Sequence, residues 1–209
     1  MFSIKRIVSR IFQRCSKKTC KKIPLGISNR HVHLSQKTLD ILFGVKNYKL
    51  TLLKVLKQVG EFAAQEKIDI ISSEGIVLKD VRVVGPVRPF DQVEISQNDN
   101  IKLKFKAPLR ESGDIKNSSG ATLLGPKGQV KISEGVIIAS RHIHFSPEEA
   151  EEFGVVDKQI VSVKVNGIKS GILQQVMCRV HKNFRLELHL DTDDANAFLL
   201  QNGDLLDLI

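Results

Sequence analysis

The sequence predicts a mainly β protein with short helices, an α+β chain folded as two pseudo-symmetric β-barrel domains with a dinuclear metal site between them. Three observations predict it. Short segments rich in β-branched residues follow one another along most of the chain, separated by Gly, Pro and Asn-Asp turns, a pattern of small barrels rather than of an open parallel sheet. A six-residue unit occurs twice, as Arg30-His31-Val32-His33-Leu34-Ser35 and as Arg141-His142-Ile143-His144-Phe145-Ser146. Each copy leads into a helix-like stretch that ends in Phe-Gly-Val, at Phe43-Gly44-Val45 and Phe153-Gly154-Val155. One module has been used twice, so two related barrels are the economical reading.

Residues 23–28 read as an apolar strand running into the first histidine pair, and 35–43 as the first helix. Residues 50–59 alternate weakly and meet Gly60. Strands are predicted over 68–72, 77–84 and 92–96, punctuated by Glu74-Gly75, Gly85-Pro86 and Asn98-Asp99. A further strand over 101–105 precedes a loop over 108–114. Residues 121–124 and 130–132, joined by Gly125-Pro126-Lys127-Gly128, form a predicted hairpin. The stretch from Gly85-Pro86 to Val93-Glu94-Ile95-Ser96 echoes that from Gly125-Pro126 to Val130-Lys131-Ile132-Ser133, which extends the repeat. The second helix is the better marked, with Ser146 as N-cap, Pro147 at the first helical position and Glu149 completing a capping box. Gly44 and Gly154 are natural C-terminal stops. Strands follow over 160–165, 171–179 and 184–190. Asp191-Thr192 then caps a last helix that ends at Gly203, and 205–209 closes the chain.

Four of the six histidines sit in the duplicated unit. Residues two apart on a strand share a face, so both imidazoles of each pair project together, within reach of one metal ion. His189, in the alternating stretch Leu186-Glu187-Leu188-His189-Leu190, is a further candidate ligand, whereas His181 beside Lys182 and Asn183 reads as a surface turn residue. Four or five imidazoles can hold two divalent ions, and zinc is the default for nitrogen-rich sites without thiolates. Of the polar residues near strand ends, Glu94 is either a ligand or an exposed strand residue. Arg88 is either an oxyanion binder or an ordinary surface arginine, and Arg110 and Asp114 are further candidates. The glycine-containing loops have no Walker or dinucleotide spacing. These patterns alone stop at a metal-dependent enzyme with an anionic substrate.

Composition excludes several classes. No apolar run approaches a membrane span, tryptophan is absent, and the three cysteines (Cys15, Cys20, Cys178) form no even disulfide framework, which suits a reducing cytoplasm. The net charge of +9 is concentrated in residues 1–22, which carry eight basic residues and no acid; without them 24 basic residues face 23 acidic ones. The body therefore has no nucleic-acid footprint. Phe2, Ile4, Ile7, Val8, Ile11 and Phe12 fall mostly at helical spacing, opposite Lys5, Arg6, Arg10 and Arg14, so 1–22 reads as an amphipathic basic peptide and linker. A transit peptide, a membrane-surface helix and a docking helix all fit it.

Longer motifs are more specific. The segments 28–35, Val81-Arg82-Val83-Val84-Gly85-Pro86-Val87-Arg88, Gln92-Val93-Glu94-Ile95-Ser96 and Arg110-Glu111-Ser112-Gly113-Asp114 resemble the propanediol-utilisation-type phosphotransacylases. So do the segments 135–144 and 188–197, and the resemblance covers about 23–209. It implies acyl transfer between coenzyme A and inorganic phosphate, with propanoyl-CoA or acetyl-CoA as donor, by two interlaced barrels around two zinc ions per subunit, in a homodimer. The barrels it implies are 30–139 and 23–29 plus 140–209. By position, His31, His33 and Glu94 become ligands of one zinc, and His142, His144 and His189 ligands of the other. Arg88 becomes the phosphate-binding arginine and Asn196 an active-site neighbour, while coenzyme A contacts stay unassigned. No cysteine, serine or lysine stands out as an activated nucleophile, so direct transfer to phosphate is expected over an acyl-enzyme. Members housed in bacterial microcompartments carry an amphipathic N-terminal helix, which ranks a shell-docking role for residues 2–14 and a lumenal location above a cytoplasmic one. The competing classes are a zinc-dependent hydrolase and a non-catalytic microcompartment interaction protein.

Overall fold

In the computed structural model, which describes residues 21–209, the chain enters one barrel before it starts building the other. Strand β1 (Lys22–Ser28) pairs in parallel with β13 (Glu187–Asp191) and antiparallel with β14 (Leu205–Leu208), far along the sequence. The chain then crosses at Asn29-Arg30 and continues as β2 (His31–His33) in the other barrel. Strand β9 (Gln129–Ala139) repeats the manoeuvre: it belongs to the first barrel, and after Ser140-Arg141 the chain becomes β10 (His142–Phe145) of the second. Each histidine strand is thus the first strand after a crossover, which sets both at the junction of the barrels.

The second barrel closes in the order β1-β13-β10-β12-β11-β14, with β11 spanning Ile160–Val165 and β12 spanning Gly171–Val180. The first closes as β4 (Phe62–Ile71), β5 (Val77–Gly85), β2, β6 (Gln92–Glu94), β9 and β8 (Ser119–Leu124), with β8 returning to β4. β3 (Leu52–Val55) adds to β4 and β7 (Leu109–Arg110) to β9. Strand senses match one for one. β2 is parallel to β5 and antiparallel to β6, as β10 is to β12 and β13; β6 is parallel to β9, as β13 is to β1.

Alternation assigns the faces. Val32, Leu34, Val93 and Ile95 point into the first core, while Ile143, Phe145, Leu188 and Leu190 fill the second. The imidazoles between them point outward, toward the other barrel. Burying one such aliphatic or aromatic side chain contributes about 1.5–3 kcal/mol, so each histidine pair stands on a strand anchored from behind.

The helices α1 (Gln36–Phe43) and α3 (Pro147–Phe153) start at Ser35 and Ser146, whose side chains accept from the Thr38 and Glu149 main-chain N–H groups. The capping box at Ser146 is present, and Gly44 and Gly154 stop the helices at φ 70° and 68°. Three sequence expectations are corrected. The strand expected over 101–105 is instead the end of α2 (Gln97–Lys102) and the turn after it, because Ser96 caps the Asp99 N–H and starts a helix that β-branched Ile101 does not prevent. The last helix, α4 (Thr192–Ala197), is capped by Asp191 as expected but ends at Phe198, which packs into the second core; Gly203 belongs to the turn into β14. The Gly85-Pro86 and Gly125-Pro126 echo is not the repeat either, since both stretches lie in the first barrel. The structural partner of β6 is β13.

Candidate functional site

The register of β2 on β6 pairs His31 with Glu94, and that of β10 on β13 pairs His142 with His189. Glu94 and His189 are therefore equivalent positions, and each completes a triad on the strand next to a histidine pair. Ligand atoms of His31, His33 and Glu94 lie within 4.8 Å of one another, and so do those of His142, His144 and His189. Both triads line one cavity of about 450 Å³ between the barrels.

Hydrogen bonding fixes how the imidazoles are presented. His31 Nδ1 lies 2.8 Å from the Asn29 carbonyl and His33 Nδ1 lies 3.0 Å from the Val84 carbonyl. A carbonyl can only accept, so both Nδ1 atoms carry a proton and Nε2 is left on each ring as the atom free to act as a ligand. Those two Nε2 atoms are 3.2 Å apart, with Glu94 Oε2 at 3.6 Å from His31 Nε2. In the second triad His142 Nδ1 donates to the Ser140 carbonyl at 2.8 Å, and His189 Nε2 to Glu187 Oε2 at 2.8 Å. His144 Nδ1 is buried without any hydrogen-bond partner. The ring centroids of this triad are 4.6–5.0 Å apart. Convergent lone pairs, an unpartnered buried nitrogen and second-sphere acceptors on the far ring nitrogens are what a divalent cation requires, so the residues present fit one.

The charge states agree with that fit. Burial, with His31 and Arg88 nearby, brings His33 down to about 3. His142 falls to about 3 through burial and the neighbouring His189, and His144 is lowered by burial and both of its partners. Burial alone would raise the Glu94 carboxyl, but His31, His33 and the Ser112 hydroxyl outweigh it and hold it below the usual range. At neutral pH this gives neutral His33, His142 and His144 beside an ionised carboxylate, the forms that bind metal.

Arg88 lies on the first triad's side of the cavity, its Nη2 3.1 Å from Glu61 Oε1 and its main-chain N–H on the Leu34 carbonyl. Asn196 is not brought there: it sits exposed on α4, outside the cavity wall, because the short helix turns that position to solvent. Arg110 and Asp114 face each other at 3.6 Å, and neither lines the cavity. His181 is exposed, as its surroundings predicted.

Several functional residues escaped the sequence reading. Gln92, fully buried, donates to Glu94 Oε1 at 2.7 Å and to Ser112 Oγ at 2.9 Å, and its Oε1 accepts from Gly113 N–H. Glu187 holds His189 and is itself held by Gln58 Nε2 at 3.1 Å, from a first-barrel turn. Gln92-x-Glu94 and Glu187-x-His189 both carry the two-residue spacing of one strand face, so that signal was available. Gln58 and Glu61 carried none.

The arginine of each duplicated unit is held by an aspartate. Arg30 reaches Asp99 at 2.8 Å and Arg141 grips Asp194 at 2.6 Å, each aspartate five residues after Glu94 or His189. One residue earlier, the equivalent Asn98 and Asp193 bond to each other at 2.7 and 2.8 Å, so this clamp lies on the pseudo-twofold axis.

Comparison with known proteins finds relatives along nearly the whole chain. A family model described as phosphate propanoyltransferase matches residues 24–201. A phosphate propanoyltransferase of Thermotoga maritima is 47% identical over 188 residues, covering 90% of this chain and 89% of its own length. Those of Lachnoclostridium phytofermentans and Priestia megaterium are 45% and 46% identical; they cover 99% and 97% of this chain, and 96% and 93% of their own lengths. With one family model spanning nearly all of both barrels, and relatives this similar over nearly their full length, this chain belongs to the phosphate propanoyltransferase family.

Proposed function

We propose that the protein transfers a short acyl group between coenzyme A and inorganic phosphate, interconverting propanoyl-CoA or acetyl-CoA plus phosphate with acyl phosphate plus coenzyme A. The observation that carries this reading is that both donor triads and Arg88 open on one cavity, in a chain whose relatives are named for this transfer. His31, His33 and Glu94 would hold one zinc ion, and His142, His144 and His189 a second. Bound zinc supplies a Lewis acid for the thioester carbonyl and a soft partner for the departing thiolate.

The chain's own residues do the rest. Arg88 offers a planar fork for phosphate oxygens once Glu61 yields, and holds the nucleophile against the thioester. A phosphate oxygen bonds to the carbonyl carbon, the C–S bond breaks with its electron pair on sulfur, and the thiolate leaves. Gln92 and Ser112 keep Glu94 in place, and Glu187 keeps His189 in its tautomer. Among the described residues the one cysteine, Cys178, is fully buried with its thiol pushed up by burial to about 11, which speaks for direct transfer over an acyl-enzyme.

The test is coenzyme A release from acetyl-, propanoyl- and butanoyl-CoA, with and without phosphate. Release that requires phosphate and yields acyl phosphate is expected; release without phosphate would mean a hydrolase, and no turnover would mean a binding protein. Arg88→Ala should lower phosphate-dependent release by about 100-fold or more while metal content stays at two per subunit.

Two further parts of the reading concern assembly. Residues 2–14, outside the described residues, are proposed as the helix that delivers the enzyme to a microcompartment lumen; the L. phytofermentans relative aligns over 99% of the chain and so extends into this stretch. No described helix is long and apolar enough to cross a membrane. A fluorescent protein fused to residues 1–22 should concentrate in cells that make compartments, and sedimentation should show a homodimer.

A further inference from the structure

The described arginines divide by what they touch. Arg30 and Arg141 pair with aspartates, Arg110 faces Asp114, and Arg88 is bonded to Glu61. Arg82 and Arg185 donate to main-chain carbonyls. Arg179 alone has neither a carboxylate nor a carbonyl among the described residues.

Its place is specific. On β12 it stands opposite His144 in register, so its side chain leaves the sheet on the imidazole's face and lines the cavity. The guanidinium carbon is 5.6 Å from the centre of the Phe184 ring, and that ring packs 4.2 Å from the His144 ring. A cation over a ring face is attracted to it, but the contact leaves all five N–H donors unused. The fold does not call for an arginine here. Transferring the register of β12 on β10 to β5 on β2 puts Val84 at the matching place in the first barrel. The residue is therefore an addition to one half of a duplicated frame, at the wall of the site and with donors to spare.

We propose that Arg179 is a second oxyanion-binding arginine of the cavity, taking phosphoryl oxygens of a substrate on the His144 side while Arg88 serves the His33 side. The inference rests on the acyl-phosphate reading above and adds a binding residue to it. Two sources offer this chemistry, free phosphate (or the phosphoryl end of acyl phosphate) and the phosphates of coenzyme A.

The experiment is steady-state kinetics of Arg179→Gln and Arg179→Lys, varying phosphate at saturating propanoyl-CoA and the reverse. Calorimetric titration of the purified proteins with inorganic phosphate and with coenzyme A accompanies it. In Arg179→Gln, one KM and the matching dissociation constant should rise roughly tenfold or more, the loss of one charge-assisted contact, with kcat changed less and Arg179→Lys in between. A shift confined to phosphate assigns the nucleophile's anion, and one confined to coenzyme A assigns the donor's. Both KM values and both dissociation constants within twofold of wild type in a variant of unchanged melting temperature would overturn the proposal. If the glutamine variant does not fold, the lysine variant decides by the same criterion. Wild type without phosphate-dependent release would instead strike the acyl-phosphate reading, so the two failures are separable.

Discussion

His31 and His33 each commit Nδ1 to a carbonyl, and the geometry that follows leaves two Nε2 atoms 3.2 Å apart. Without a cation between them that arrangement opposes two lone pairs, and burial opposes protonation of His33. Stability of metal-stripped protein should follow. His33 and His142 have folded-state pKa values lowered from 6.5 to about 3, so the unfolded chain binds protons that the folded one refuses. Folding free energy from these groups is fully present above about pH 6.5 and is lost as pH falls toward 3, by at most about 1.4 kcal/mol per pH unit for each imidazole. Thermal melts of the stripped protein between pH 7 and pH 4 check this, and a melting temperature flat across that range would refute it. At Gly26 the constraint is steric. The residue pairs with His189, and a Cβ there would stand 2.8 Å from Glu187 Cδ, the carboxylate that holds His189. Gly26→Ala should push Glu187 aside and weaken metal binding at the second triad about tenfold or more, leaving the first unchanged. Chelator competition resolves the two sites, and equal affinities at both would remove Glu187 from the account.

At the level of elements, the histidine modules were legible because their information is local. Period-two alternation sets which way His31 and His33 point, and Ser146, Pro147, Glu149 and Gly154 state the start and stop of α3 within one short segment. Ser146→Ala should therefore cost about 1 kcal/mol, read as a lower urea midpoint at constant slope, and should leave the second triad's metal affinity within a factor of two, since the cap lies beyond the far end of β10. Helix α2 was missed because its signal, Ser96 with Asp99 three residues on, competes with the β-branched Ile95 and Ile101. The turn between β3 and β4 was illegible for a different reason. Gln58 exchanges two hydrogen bonds with the Arg185 main chain, at 3.0 and 3.1 Å, and Val59 N–H reaches the Asn183 carbonyl, all across the barrel junction. Nothing near residue 58 names partners 127 positions away. Glu61, at the end of the same turn, occupies Arg88, so the turn touches both halves of the site.

The whole molecule is a pair of barrels of which the second takes one strand from before the first, and this has a consequence for where the chain can be cut. β1 precedes the first barrel in sequence yet stands between β13 and β14, where Ile23 and Leu25 are buried in the second core. Lys22 also reaches Asp207 at 2.6 Å, and the main chain of Leu25 exchanges hydrogen bonds with Gly203 and Asp204. A chain beginning at Lys21 keeps all of these contacts and is the reference against which the shorter chain is read. A chain beginning at Asn29 loses only eight residues more, but with them the strand that closes the second barrel. Two large side chains leave the core at about 2–5 kcal/mol each, and the edges of β13 and β14 are left unpaired. Because His189 lies on β13 beside Gly26, the second triad should lose its metal while His31, His33 and Glu94, carried by β2 and β6, retain theirs. Metal content and calorimetric unfolding of the two truncations decide it. If the chain beginning at Asn29 melts like full length with two metals bound, the N-terminal strand is not a stave of the second barrel and the interlaced architecture is wrong.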